Sequence, residues 1–178
     1  SDVLDEARTR KVLSRIQQRS DRLMAFIEQY SQLSQLPPPK PKWFDFSEIL
    51  VEAKSMVNES CQVKFQGNNQ CYGDANQVAQ ILINIFKNAQ EACVEEMTKI
   101  NIAIYSNNNE QIIEITDNGP GFANLDNVLT PFYTTKAHGS GIGLSLCAEI
   151  TRNHEGQLEV SNITGGGAKI NMTWITPT

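Results

Sequence analysis

The stretch NIFKNAQEAC, Asn84 to Cys93, decides how this chain is read. It lies within DANQVAQILINIFKNAQEACVEEM, where Val78, Leu82, Ile85, Ala89 and Ala92 recur at helical spacing as one apolar stripe. Asn84, Asn88 and Glu91 follow the same spacing, one above another, along the border of that stripe. Asn is a poor interior helix residue because its side chain competes for backbone hydrogen bonds. Taken alone, the three residues are explained by a solvated helix edge. The functional reading is an oxygen ligand set, since an Asn carbonyl suits Mg2+, a hard cation that retains waters and takes few protein ligands. Lys87 is nearby in sequence and would meet a phosphate as a point charge.

Working outward, the segment up to Leu36 is polar but periodic. Leu13, Ile16, Ser20, Leu23, Ile27 and Tyr30 alternate three and four apart as a heptad seam, with no Gly or Pro to interrupt one long helix. PPPKP, Pro37 to Pro41, ends it and forms a stiff linker. SEILVEAKSMV then reads as a helix capped by Ser47. CQVKFQG and NQCYG read as short strands with Gly67-Asn68 at the bend between them, and Asp74 sits at the start of the central helix. KINIAIYS and EQIIEITD pattern as paired strands joined by Asn107-Asn108-Asn109. After an irregular stretch from Asn118 to Ser140, GIGLSLCAEITRNHEG makes a helix ended by Gly156. QLEVSN and AKINMTWI then make a last hairpin across Gly165-Gly166-Gly167. Helices and strands mix without strict alternation, which favours an α+β sandwich with helices on one face of the sheet.

Length and composition fit that reading. The 178 residues suit one domain with an appendage, and 40% hydrophobic with 20% charged content is that of a globular chain with a core. A formal net charge of −5 argues against a general nucleic-acid or anionic-membrane surface. Cys61, Cys71, Cys93 and Cys147 form no C-x-x-C pair, and His138 and His154 are not spaced with them as zinc ligands. Reduced, buried thiols are expected, consistent with a cytoplasmic setting. No run approaches the length of a membrane span. The chain opens at Ser1 and is expected to be an excised fragment.

Three further stretches break local rules. DNGPGF, Asp117 to Phe122, is a standard turn string, yet two glycines around a proline also permit close backbone approach to a ligand. Asp117, last on an apolar strand, is placed to accept a hydrogen bond from an exocyclic amine. PFYTTK, Pro131 to Lys136, reads by itself as a loop with a docked aromatic. HGSGIGLSL, His138 to Leu146, opens a helix with glycines, and helix N-termini suit phosphate. It is not a P-loop, and Leu144 in place of the third glycine weakens a Rossmann reading.

In this order, NIFKNAQEA, DNGPGF, PFYTTK and GSGIGL resemble the N, G1, F and G2 boxes of sensor histidine kinases, in the ATPase superfamily that also holds gyrase, Hsp90 and MutL. The resemblance covers nearly the whole chain. It implies that residues 1–36 are the second helix of a dimerisation and phosphotransfer region, 37–41 a linker, and 42–178 a catalytic ATP-binding domain. The implied fold is a two-layer α/β sandwich: a mixed five-stranded sheet with three helices on one face, preceded by one long helix. ATP and Mg2+ are the implied ligands. Asn88 would hold the metal, with Asn84 lining the same site and Glu91 and Lys87 as metal-water and phosphate contacts. Asp117 would recognise the adenine amine, with Gly119 and Gly121 letting the nucleotide approach. Phe132, Thr135 and Lys136 would belong to a short lid of the nitrogen-regulator kind, with Lys136 and Asn88 as the catalytic pair. Gly139, Ser140, Gly141, Ile142, Gly143 and Leu144 would form the phosphate-meeting turn.

The departures from the family pattern matter as well. Gyrase and Hsp90 relatives carry a general-base glutamate where this chain has Asn84, which argues against hydrolysis as the main activity. Ala168 follows Gly167 where a Thr is usual. No acceptor histidine lies on the first helix: His138 falls in the lid and His154 at a helix end. The resemblance therefore implies phosphoryl transfer to a histidine on an upstream helix, and thence to a response-regulator aspartate. The implied parent is a homodimer whose catalytic portion is cytoplasmic, and the fragment alone is not expected to label itself. Alternatives are a nucleotide-sensing module without transfer chemistry and a gyrase- or MutL-type ATPase.

Overall fold

The computed structural model describes residues 2–93, 97–136 and 139–177, so His138 lies outside the described residues. The chain divides into two compact units, Ser1–Gln35 and Leu36–Thr178. The first is a single helix, α1 (Asp2–Ser34), whose last turn is closed by Gln35 N donating to Ser31 O at 2.9 Å. Leu13, Ile16, Leu23 and Ile27 are each more than half exposed, so the seam is an apolar stripe on the surface of this helix. The Tyr30 side chain is outside the described residues. Among the described residues no helix is long and apolar enough to cross a membrane.

The second unit runs β1 (Lys42–Asp45), α2 (Phe46–Ser55), β2 (Cys61–Gly67), β3 (Gln70–Gly73), α3 (Ala75–Ala92), β4 (Thr98–Asn107), β5 (Glu110–Asp117), α4 (Gly143–Asn153), β6 (Gln157–Asn162) and β7 (Ala168–Ile175). A five-stranded sheet has the order β2-β4-β5-β7-β6, parallel between β2 and β4 and antiparallel elsewhere. Residues alternate along it: Ile100, Ile102, Ile104, Ile113, Ile115, Ile170, Met172 and Trp174 are buried on the helix side. Lys169 and Glu114 pair on the other side, where the bond to Glu114 raises the lysine above its ordinary value. Burying one large apolar side chain stabilises by about 1.5–3 kcal/mol, so this single face dominates the fold.

Two details differ from the sequence reading. The first is β1, a strand with no counterpart in that reading; β2 and β3 flank the Gly67-Asn68 bend as read, and β2 runs its whole length beside β4, from Cys61 opposite Thr98 to Gly67 opposite Ile104. β3 pairs instead with β1 as a two-stranded ribbon. That ribbon is fastened to the sheet by Trp174 Nε1 donating to Tyr72 O (2.7 Å) and by buried Gln111, which accepts from Tyr72 N (2.8 Å). The second correction concerns α2: its cap is Asp45, not Ser47. Asp45 Oδ1 accepts from the Ser47 N–H at 2.8 Å, and the Ser47 hydroxyl and amide together hold this carboxylate below its usual range.

α3 is buried along Val78, Leu82, Ile85, Phe86 and Ala89 and packs against α2, α4 and β4. Its N-cap is Asp74, as its sequence position indicates. Asp74 Oδ1 accepts from Asn76 N (3.1 Å) and Gln77 N (3.3 Å), while Oδ2 accepts from Lys40 N (2.9 Å). Gln77 Nε2 adds a bond to Pro37 O (2.9 Å), so the proline-rich segment is tied to the first turn of α3. The backbone N of Asp74 donates to His154 Nε2 (2.9 Å), whose Nδ1 lies 2.8 Å from Ile150 O and therefore carries the proton. α4 ends not in a left-handed glycine but with Glu155 at φ 58°.

Asp74→Ala removes the cap and the Lys40 anchor together. Loss of such a cap costs about 1–2 kcal/mol, and a thermal melt should show Tm lower by roughly 5 °C. An unchanged Tm would mean that the linker bond and the cap contribute nothing.

Candidate functional site

The expected site residues come from four places in the second unit, and the fold assembles most of them. On α3, Asn88 and Glu91 lie one turn apart and both receive Lys136: Nζ is 3.2 Å from Asn88 Oδ1 and 2.6 Å from Glu91 Oε2. A lid cation thus rests on a carbonyl oxygen and a carboxylate, which is the donor chemistry that a hard cation requires. Lys87 is exposed on the same helix. Asn84 behaves differently from its neighbours. Its Nδ2 is buried with no acceptor, beside Cys147, whose S–H donates to Ile81 O at 3.9 Å. Burial pushes that thiol up to about 12, with the Asn84 amide opposing the shift.

The second group surrounds Asp117 at the end of β5. Its Oδ1 accepts from Gly119 N (2.8 Å) and from Ala168 N (3.1 Å). The position where a Thr is usual therefore contributes through its backbone. Oδ2 makes no hydrogen bond among the described residues, so one oxygen is locked while the other remains available. Gly167 has φ +111°, and a Cβ there would collide with Asp117 O, so only glycine lets β7 begin against the end of β5. Asn162 on β6 fixes the turn from the other side, accepting from Phe122 N (2.7 Å) and donating to Phe122 O (2.9 Å). It stands 2.6 Å from where a Gly121 side chain would begin. Nothing local in the sequence marks Asn162, which acts 40 residues from its partner.

The third and fourth groups are the lid and the start of α4. Phe132 adopts φ 69°, an outlier for a bulky residue, and its N–H donates to Gly141 O at 2.8 Å. Gly141 itself has φ +69°, and a side chain there would strike the Phe132 backbone and Tyr133 O. The two positive-φ residues lock the beginning of the lid to the turn before α4. Thr135 is exposed, while Thr134 Oγ1 accepts from Lys136 N (3.1 Å) and Gly139 N donates to Lys136 O (3.3 Å). Ser140 Oγ accepts from Ile142 N at 3.4 Å, but no side chain caps α4. Its first turn is Gly143, Leu144 and Ser145, and the Cβ position of Gly143 is 3.4 Å from Asn88 Nδ2. An uncapped helix N-terminus therefore faces the Asn88 side chain, with a lysine and an acid alongside. The arrangement offers free N–H groups and a helix dipole to an anion, and the oxygens of Asn88 and Glu91 to a cation.

Residues 73–177 match the family described as histidine kinase-, DNA gyrase B-, and HSP90-like ATPase. Over 104 residues the chain is 39% identical to a sensor protein of Shewanella frigidimarina, covering 56% of this chain and 16% of that protein. Over 181 residues it is 28% identical to an NtrY-like sensor histidine kinase of Rickettsia bellii, covering 96% of this chain and 30% of the relative. It therefore spans less than a third of either relative. The solved Acinetobacter baumannii histidine kinase AdeS shares the fold at a TM-score of 0.68 and 20% identity, over 95% of this chain and 84% of that one.

The contact of Lys136 with α3 has a measurable consequence. Both partners are partly exposed, so the pair is worth at most about 1 kcal/mol. Glu91→Gln should leave Tm nearly unchanged and raise tryptic cleavage after Lys136 by up to roughly fivefold, since cleavage tracks the open population. Equal cleavage rates would show that the ion pair does not hold the lid.

Proposed function

The chain belongs to the histidine kinase-, DNA gyrase B-, and HSP90-like ATPase family, and on that premise we propose that it is the ATP-binding catalytic portion of a two-component sensor histidine kinase. The observation that carries this reading is the meeting of Lys136 with Asn88 and Glu91 opposite the uncapped start of α4. Phosphoryl transfer needs positioning and charge neutralisation more than covalent chemistry, and this cluster provides both kinds of group.

Each residue takes a role from its place. Asp117 Oδ2 accepts from the adenine amine while Oδ1 stays engaged by Gly119 and Ala168. Asn88 Oδ1 would hold Mg2+, with Glu91 contacting a metal-bound water. The ion supplies charge neutralisation at the phosphates when bound. Lys136 and the N–H groups of α4 from Gly143 onward bind phosphate oxygens, with Lys87 at the outer edge. Phe132 and Gly141 set where the lid begins, and Gly139 to Leu144 form the turn that meets the phosphates. Asn84 stands where hydrolase relatives carry a general-base glutamate. It is a neutral amide with a buried nitrogen, so it activates no water, which favours transfer over hydrolysis.

The acceptor is a histidine of an upstream helix. His154 does not serve, because both its ring nitrogens are engaged, by Asp74 N and Ile150 O. Residues 1–36 are the second helix of the dimerisation and phosphotransfer region, 37–41 the linker, and 42–178 the catalytic domain. The exposed seam of α1 fits a helix that pairs with that upstream helix and with a second copy. The parent hands its phosphoryl group to a response-regulator aspartate, and this portion works in the cytoplasm.

Titration with Mg·ATP tests the site. In Asp117→Asn the carbonyl keeps both backbone bonds while an NH2 replaces Oδ2, so fold stability should hold and affinity fall about tenfold or more, the cost of a mispaired buried polar group. Asn88→Ala should melt normally, since Ala is the better helix former, yet lose Mg2+-dependent affinity. Wild-type affinity in both variants would remove the nucleotide from this site.

The transfer itself is tested by adding radiolabelled ATP with and without a partner carrying the upstream helix. Proximity of an oriented nucleophile is worth on the order of 7–11 kcal/mol, so label should enter the supplied histidine only, as an acid-labile and base-stable product. Acid-stable label in the fragment alone would indicate a Ser or Thr acceptor, and tight ATP binding with no label anywhere would favour a nucleotide-sensing module.

A further inference from the structure

Lys136 sits on the oxygens that the reading above gives to a metal. Its Nζ lies 3.2 Å from Asn88 Oδ1 and 2.6 Å from Glu91 Oε2. The lid backbone holds the lysine at that place: Lys136 N donates to Thr134 Oγ1 (3.1 Å), and Lys136 O accepts from Gly139 N (3.3 Å). Packing behind it is close, since a Cβ on Gly139 would lie 2.5 Å from Thr134 Oγ1 and 3.1 Å from Lys136 Cβ. On the far side, Asn88 Nδ2 is turned to the start of α4, 3.4 Å from the Cβ position of Gly143. The amide thus gives its nitrogen to α4 and its oxygen to the lid. A carbonyl oxygen already bonded to an ammonium is a poor ligand for a second cation, because like charges sharing one neutral oxygen repel at close range.

We propose that Lys136 is a built-in counter-ion that blocks the Asn88–Glu91 oxygens to free metal, and that nucleotide phosphate unblocks them by drawing the lysine away. The inference rests on the reading of Asn88 and Glu91 as the metal-holding pair. Lys136 then sets what the site accepts: a divalent cation arriving with phosphate, not the cation alone. Phosphate is the better partner for the ammonium, a multiply charged anion against one carboxylate that is more than half exposed. As Lys136 moves to a phosphate oxygen, the Asn88 carbonyl and the Glu91 carboxylate are both released. Metal and nucleotide therefore bind with positive cooperativity, and by linkage each strengthens the other by the same factor. The side chains of Lys136 and Glu91 are 36% and 58% exposed, so the block is weak, no more than about fivefold in metal affinity.

Mn2+ is the probe, since it accepts the same oxygen ligands, and the protein-bound ion is read by equilibrium dialysis of the whole chain. Without nucleotide, Lys136→Met should bind Mn2+ about two- to fivefold more tightly than the wild type. Lys136→Arg keeps the charge and should stay at the wild-type value. In Lys136→Met combined with Asn88→Ala the gain should vanish, because the released ligand is the Asn88 oxygen. With ATP present the order should reverse, the methionine variant having lost its phosphate contact. Equal affinity of Lys136→Met and wild type for Mn2+ alone, while both bind Mn2+ with ATP, overturns the block and leaves the metal reading standing. An equal gain in Lys136→Arg, or a gain that survives Asn88→Ala, overturns it as well. If no form retains Mn2+ even with ATP, the metal reading fails and the inference falls with it.

Discussion

α3 lies between α2 and α4 and over β4, and its burial determines where nearly everything else sits. Val78, Leu82, Ile85, Phe86 and Ala89 remove a continuous apolar stripe from water against the isoleucines of β4 and β5. With the stripe packed, the helix has one rotation available, and Asn88 and Glu91 are carried to its border, where Lys136 meets them. A helix turned by one residue would put Phe86 where exposed Lys87 stands and Glu91 where half-buried Ala92 stands, which the hydrophobic term and the cost of desolvating a carboxylate both oppose. The polar site is therefore held in place by an apolar constraint, and the two ends of that helix serve different purposes. Asp74 at the start gathers the linker and, through its backbone, His154; Cys93 at the end borders the Asp117 turn.

The Asp117 turn shows how a carboxylate is divided between structure and chemistry. One oxygen satisfies backbone donors from Gly119 and Ala168, which prevents rotation of the side chain. The other is then presented in a fixed direction at no further cost in side-chain entropy when a ligand arrives. The close approach of β7 behind it depends on Gly167, and the turn in front of it depends on Asn162. The lid is built on the same plan: a positive φ at Phe132 and another at Gly141, tied by a backbone hydrogen bond, set the start of a segment whose far end carries Lys136. Strain of that kind persists only where surrounding contacts over-determine it, and it concentrates at sites that must be preorganised.

Much of this was legible in the chain itself. The stripe on α3, the hairpins of β4 with β5 and of β6 with β7, the Asp74 cap and the four rule-breaking motifs follow from nearest-neighbour physics: periodicity, caps and turn residues. Asn108 at φ 56° between β4 and β5 is such a case, because Asn tolerates a left-handed turn better than other side chains. What was misread lay at the boundaries. Ser47 looks like a cap, but Asp45 lies two residues ahead of it and is the better acceptor for its N–H. Lys42–Asp45 is too short to show a strand period of its own and is recognisable only by its pairing with β3.

The sequence by itself determined most of the element types, the buried face of α3 and the residue kinds that suit a nucleotide, because those signals act within a turn or two of helix or strand. Tertiary structure alone decided which distant groups meet. Lys136 reaches Asn88 across 48 positions and Ala168 N reaches Asp117 across 51, and β2 chose β4 over β3. The inward turn of Asn84 and the anchoring of Pro37 on α3 belong to the same class. None of these contacts has a local signature, since each is closed only when burial of the shared core brings its two halves of chain together, after which the remaining donors and acceptors take the partners within reach.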